Sequence, residues 1–398
     1  MVSNELMHPI GDDRAWSESY YFNFVDPNTR IGMFTRMGFR PNNGWADALH
    51  VIYLGGKRVA FTYGRRDIGT DLSVYDGDLA AGGLKLSCEA HHERWRIQYD
   101  GPAQDIDNAE ILLTRSKARP DGWFNPATLK MDVVFNCLTE PHYAAQGVRG
   151  HFEQSGAVSG TIALGSEVFE VNGFGVRDKS WGPRDWGANS AGDSENGSSE
   201  TSNGPKAFVN WFSMNFGEHA ALGGSCFRHK DGVMRGDGWI QRDGTSQGLK
   251  NVSITTAYRD DSLIHEQVVL TGEIEGGEAI EIRGSVTCVC PTKIPMPGGA
   301  IFVNEGLAEF EWDGRTGYGI AEHCHAVKLG RSDGNLAQHR PGWTPLVAGI
   351  RRLEQGQPAA IHVFVLQVIR RIKEIRRPGR AMGREFVEQG LPRSTDIP

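Results

Sequence analysis

No stretch of the chain approaches the roughly 18 consecutive apolar residues that a membrane-spanning helix requires. The six cysteines (Cys88, Cys137, Cys226, Cys288, Cys290 and Cys324) include no CxxC pair and are too sparse over 398 residues for a disulfide framework, so reduced thiols are expected. The opening residues lack a basic segment followed by an apolar run, which leads to the expectation of a cytoplasmic protein. Four signatures are also missing: a GxSxG elbow that leads from a strand into a helix (Gly244-Thr-Ser-Gln-Gly248 has the letters but runs on into alternating, strand-like residues), HExxH, the phosphate-binding GxxxxGK[ST], and a GxGxxG between a strand and a helix. Their absence argues against a serine hydrolase of that type, a zincin, a P-loop enzyme and a Rossmann dehydrogenase. What remains is cofactor-free acid/base chemistry or plain binding.

Glycine, at 51 of 398 residues, is the compositional excess. It stands well above the usual ~7% and favours many tight turns between strands over long helices. Apolar residues at 39% and charged residues at 23% are ordinary for a folded soluble chain. Charge is unevenly placed. The net charge is −7, yet residues 331–398 hold 12 basic and 6 acidic side chains, which leaves the preceding body strongly acidic. Such a body is repelled by phosphate backbones, so nucleic acid is not an expected partner.

Strand signals dominate the first 330 residues. Phe208-Val-Asn-Trp-Phe-Ser-Met-Asn-Phe216 alternates between a face of large apolar residues and a face carrying Trp211, Ser213 and Asn215. Glu275-Gly-Gly-Glu278 and Asp313-Gly-Arg-Thr-Gly317 each separate two alternating runs, as hairpin turns do. The polar stretch 188–204 cannot bury enough surface to join a core and reads as a linker or loop. The expected fold is therefore all-β, with antiparallel barrels or sandwiches at 1–187 and 205–330 and a basic extension at 331–398. Within that extension, residues 359–380 pair an apolar run with arginines. This pattern suits an element packed on the body, a subunit contact in an oligomer, or peripheral contact with a membrane surface.

The most unusual segment is Gly173-Phe-Gly-Val-Arg-Asp-Lys-Ser-Trp-Gly-Pro-Arg-Asp-Trp186. On a strand, Phe174, Val176, Asp178 and Ser180 share one face and Arg177, Lys179 and Trp181 the other. A carboxyl group desolvated among apolar neighbours keeps its proton toward neutrality, as a general acid must, whereas an arginine reaching Asp178 or Asp185 would make a structural ion pair instead. A second candidate is Tyr318-Gly-Ile-Ala-Glu-His-Cys-His325, which puts Tyr318 and Glu322 on one face and His323 and His325 on the other. The two histidines lack a third ligand at a recognisable spacing, so no metal is expected.

These residues carry a resemblance. The 173–186 segment, with Trp16-Ser-Glu-Ser-Tyr-Tyr-Phe22 before it and Gly317-Tyr-Gly-Ile-Ala-Glu322 after it, resembles the bacterial relatives of carotenoid 1,2-hydratase. That wider group includes kievitone hydratase, tocopherol cyclase and certain Diels-Alderases. The resemblance covers roughly residues 10–330 and implies tandem lipocalin-like (calycin) barrels, an apolar small-molecule substrate held between the halves, and acid/base chemistry at a carbon–carbon double bond. By position, Asp178 matches the acidic residue of the motif and Trp181-Gly182 its Trp-Gly, while Lys179 stands where many relatives have histidine. The expected catalytic set is Asp178, Lys179, Asp185 and Glu322, with Trp181, Trp186, Trp211, Tyr318 and His323 binding substrate and no cofactor. The expected function is a hydratase- or dehydratase-type lyase, or an isomerase, acting on an unsaturated isoprenoid, steroid or plant aromatic. Two alternatives stand beside it: a non-enzymatic carrier of such ligands, and elimination from a phenolic substrate through a quinone methide, including loss of formaldehyde.

Overall fold

Alternation with a period of two governs both halves of the chain. The computed structural model describes residues 4–68, 79–184, 207–242, 244–260, 262–296 and 299–328. The stretches 188–204 and 331–398, with 359–380 inside the latter, fall outside the described residues, as do Asp185 and Trp186. The first half comprises β1 (Trp16–Val25), β2 (Gly32–Arg40), β3 (Trp45–Tyr53), β4 (Val59–Asp67), β5 (Leu79–Ala81), β6 (Leu84–Ala90), β7 (Arg94–Ile106), β8 (Asn125–Cys137), β9 (His142–Ala145), β10 (Gly150–Leu164) and β11 (Glu167–Pro183). The second comprises β12 (Val209–Asn215), β13 (Ala220–Arg228), β14 (Met234–Arg242), β15 (Thr245–Tyr258), β16 (His265–Ile274), β17 (Glu278–Met296), β18 (Gly299–Trp312) and β19 (Arg315–Lys328). The chain is all-β. Among the described residues no helix is long and apolar enough to cross a membrane.

Strands β12 to β19 pair in order and close into an eight-stranded antiparallel barrel. In the first half the sheet runs β4-β3-β2-β1-β11-β10-β8-β7, and a short β4–β7 pairing, Val59 opposite Ile106, brings its two ends together. The result is a second eight-stranded ring with β5, β6 and β9 appended. Two lipocalin-like barrels therefore follow one another along the chain.

β1 shows how sequence becomes position. Glu18, Tyr20, Phe22 and Phe24 point into the first barrel, while Tyr21 and Val25 pack with Trp211, Leu307 and Ile320 of the second, so all ten residues of β1 are buried. Inside the first barrel, Trp95 meets Phe22, which meets Phe135 edge-on. Two ion pairs share that interior: Arg177 with Glu5 at 2.9 Å, and Lys179 with Glu18. The second barrel is filled by Phe212, Leu222, Ile240, Ile282 and Phe310. A void of about 10 Å³ among Phe212, Met214, Leu270 and His323 is roughly the space of one water centre.

Both barrels also bury histidines. His50 stacks 5.2 Å from Tyr99 in the first, and burial pushes it down to about 3. His265 stacks 3.9 Å from His323 in the second, and burial pushes it down to about 4. Each binds its proton more weakly folded than unfolded. Its contribution to stability is therefore complete above the unfolded value near 6.5 and is lost as pH falls toward the folded value. Urea denaturation should show about 2 kcal/mol lost per histidine between pH 7 and pH 5, and His50→Leu or His265→Leu should flatten that slope. Equal stability of the unmodified protein at the two pH values would contradict this.

Candidate active site between the barrels

The surface shared by the barrels is built from two facing rows. On the first barrel, Glu153 of β10, Asp178 of β11 and Tyr21 of β1 are direct register neighbours across three adjacent strands. On the second, Glu305 of β18, Glu322 of β19 and Trp211 of β12 are likewise neighbours. The period of two points all six toward the opposite barrel. Hydrogen bonds cross the gap. The Tyr21 hydroxyl donates to Glu305 Oε2 (3.2 Å), and the Trp211 and Trp239 indoles donate to Glu153 Oε1 (2.7 Å) and Oε2 (2.6 Å). Beside them Asn23 Nδ2 donates to Ser213 Oγ (2.9 Å) and the Tyr53 hydroxyl to the Glu305 carbonyl (2.8 Å).

The carboxyl groups divide into two electrostatic kinds. Burial opposes ionisation of Glu153, but the hydrogen bond and charge of His151, with the two indoles, hold it below the usual carboxylate range. His151 Nε2 lies 3.0 Å from Glu153 Oε1; burial would lower the imidazole, yet Glu153 and Asp178 raise it. These two groups form an internal ion pair. Glu305 is the opposite case: burial, then the neighbouring Glu322 carboxyl, push it well above its ordinary value. Glu322 is raised by burial and by Asp178, against hydrogen bonds from Cys324 and Glu305. Asp178 is raised by burial, partly offset by His151 and Arg184. Two carboxylates directly opposite on paired strands repel one another, which raises the pair's affinity for a proton.

Residues 1–327 match a family described as "Domain of unknown function (DUF7064)". The chain belongs to that family. No curated protein matches it. Among solved structures it is similar to an AttH protein of Nitrosomonas europaea, at 12% identity and a TM-score of 0.48 over 82% of this chain and 99% of that one. It is also similar to CghA with Sch210972 (10% identity, TM-score 0.45, 83% and 96%) and to kievitone hydratase from Nectria haematococca (10% identity, TM-score 0.45, 78% and 89%).

In this DUF7064 member the residues singled out by sequence fall in different places. Asp178, Glu322 and Trp211 lie in the facing rows. Tyr318 shares the face of Glu322 but sits four residues along β19, half-buried beneath the Arg30 guanidinium, which lies 4.1 Å from its ring centre. Lys179 and Trp181 occupy the other face of β11, away from Asp178. Lys179 is bound to Glu18, and burial lowers it despite that partner; Trp181 stacks 4.1 Å from His8. His323 points into the second barrel, 2.8 Å from Thr256 Oγ1. Among the described residues no group of three His, Cys, Asp or Glu side chains is placed to hold a metal ion. Sequence reasoning passed over Glu153, His151, Glu305, Tyr21 and Trp239. Of these Glu305 was the most detectable, as an acid within the apolar run Ile301-Phe-Val-Asn-Glu-Gly-Leu307.

Gly223 leaves the space in which Glu153 meets Trp239. A Cβ there would lie 2.5 Å from Glu153 Oε2 and 2.6 Å from Trp239 Nε1. Gly223→Ala should therefore break the contact between the barrels and destabilise the protein by about 1–3 kcal/mol, measured by chemical denaturation. Stability equal to the parent would show that the Glu153 bonds do not join the barrels.

Proposed function

We propose that this protein is a cofactor-independent acid/base catalyst, a lyase of the hydratase or dehydratase type or an isomerase, acting on a hydrophobic unsaturated small molecule such as an isoprenoid, steroid or plant aromatic. The observation that carries the reading is the opposed Glu305–Glu322 carboxyl pair, with Asp178 on the facing row and the indoles of Trp211 and Trp239 beside it. A protonated carboxyl beside carboxyls of similar environment supplies both an acid and a base within one site.

For hydration, the protonated carboxyl of the pair gives its hydrogen to one alkene carbon, and the π electrons form the new C–H bond. The neighbouring carbon becomes electron-poor and is stabilised by the indole faces. The oxygen of a water molecule bonds to that carbon, and the water's surplus proton passes to the carboxylate that remains, restoring the site. Dehydration runs the same steps in reverse. Isomerisation returns a different proton from the substrate to the carboxylate. The Glu153–His151 pair keeps its charge beside Asp178 throughout and holds the facing row in place.

The test is a panel of unsaturated and hydroxylated isoprenoids, steroids and plant phenolics incubated in ¹⁸O-labelled water and followed by mass spectrometry. Wild-type protein should add or remove one water, and Glu305→Gln should lower turnover by at least about 100-fold while leaving ligand retention unchanged. Because the acid form is required, activity should fall as pH rises through the elevated range of the carboxyl pair. Compounds that are bound but returned chemically unchanged would make the protein a carrier and overturn the reading.

A further inference from the structure

His151 and Glu153 on β10 stand directly opposite Ser180 and Asp178 on β11, so four polar side chains occupy the corners of one square. Hydrogen bonds run along three of its sides. His151 Nε2 lies 3.0 Å from Glu153 Oε1, His151 Nδ1 lies 2.9 Å from Ser180 Oγ, and the Ser180 hydroxyl donates to Asp178 Oδ1 over 3.4 Å. The fourth side sets two carboxyls against each other, and Glu153 accordingly raises Asp178. Ser180 takes no part in the steps proposed above.

This chain has one consistent direction. The imidazolium of His151, paired with Glu153, carries a hydrogen on each nitrogen and has no acceptor left. Ser180 Oγ receives the hydrogen on Nδ1, which leaves its own for Asp178. A carboxylate that accepts such a bond is stabilised in its charged form. Asp178 is partly buried, not sealed, so its carboxyl stays open to the gap. The groups whose charge it feels are His151 and Glu153 from β10, Arg184 just past β11, Arg36 from β2, and Glu305 and Glu322 from the second barrel, with the Tyr21 hydroxyl of β1 beside them. His151 is faced by Glu153, Asp178, Arg184 and, from β9, His142.

We propose that Ser180 and His151 are positioning residues that keep Asp178 ionised, which makes Asp178 the acceptor facing the Glu305–Glu322 acid. Resting on the acid/base reading above, Asp178 accepts a hydrogen bond from the attacking water, and its charge steadies the electron-poor carbon; the surplus proton still passes to the carboxyl pair. The first barrel then supplies the fixed negative charge and the second the mobile proton. Asp178 thus acts in the opposite sense to the general acid expected from its apolar strand neighbours.

The test is an NMR titration of the full-length protein labelled with ¹³C at the aspartate carboxyl carbons and ¹⁵N in histidine, with the signals assigned by their loss in Asp178→Asn and His151→Gln. At pH 7 Asp178 should be ionised and both His151 nitrogens should carry hydrogen. Ser180→Ala should raise the Asp178 midpoint by at least about half a pH unit, roughly a threefold gain in proton affinity, because the donor to the charged form is gone. Ser180→Thr, which restores the hydroxyl, should bring the midpoint back toward the wild-type value. Circular dichroism confirms that each variant is folded. An unmoved midpoint in Ser180→Ala, a threonine variant displaced as far as the alanine one, a His151 Nδ1 without hydrogen, or an Asp178 protonated at pH 7 would overturn the assignment. These readouts need no substrate, so the two proposals fail separately: a midpoint that moves as expected while Glu305→Gln leaves turnover unaffected would sink the acid/base reading and leave the Ser180 chain standing.

Discussion

A carboxyl group taken out of water between two protein layers can exist in only two ways: ionised with donors on every side, or neutral with its proton retained. The surface joining the two barrels uses both. Glu153 is surrounded by two indole N–H groups and His151 and is ionised, and hydrogen bonds to a charged group are worth about 1.5–3 kcal/mol each. Glu305 has one tyrosine hydroxyl and another carboxyl for company, and burial with that neighbour pushes it well above its ordinary value. The first group fastens the barrels together; the second is the acid that the proposed chemistry calls on. The contrast follows from which side chains face each carboxyl, not from any difference between the carboxyls themselves.

β11 connects this joint to the interior of the first barrel. Its alternate residues enter two unlike environments: Arg177 and Lys179 are neutralised by Glu5 and Glu18 inside the barrel, while Asp178 and Ser180 face the second barrel. The buried ion pairs are costly to break, because removing one partner strands a charge in the core. They fix the strand that presents Asp178. Close approach adds to this rigidity, since a Cβ at Gly175 would fall 1.7 Å from the Asn23 carbonyl of β1.

Much of this was legible in the sequence where it depends on neighbours along one strand. The period of two placed Asp178 with Val176 and Ser180, Tyr318 with Glu322, and His323 on the opposite face from Glu322, and the glycine-rich turns marked the hairpins. What could not be read were contacts between strands far apart in the chain. Tyr21 and Glu305 are 284 positions apart, Trp239 and Glu153 86 positions apart, and no local pattern relates them. Lys179 illustrates the limit of motif transfer. Adjacent in sequence to Asp178, it was grouped with it by resemblance, yet adjacent strand residues point to opposite faces, and its partner Glu18 lies inside the first barrel.

The account depends most on the proton held between Glu305 and Glu322. The direct measurement is a ¹³C NMR titration of protein labelled at the glutamate carboxyl carbons, with the Glu305 signal assigned by its loss in Glu305→Gln. The predicted result is a Glu305 carbon still at the protonated position at pH 7, while exposed glutamates titrate near their ordinary value of about 4.3. A Glu305 signal that ionises together with those exposed glutamates would contradict it.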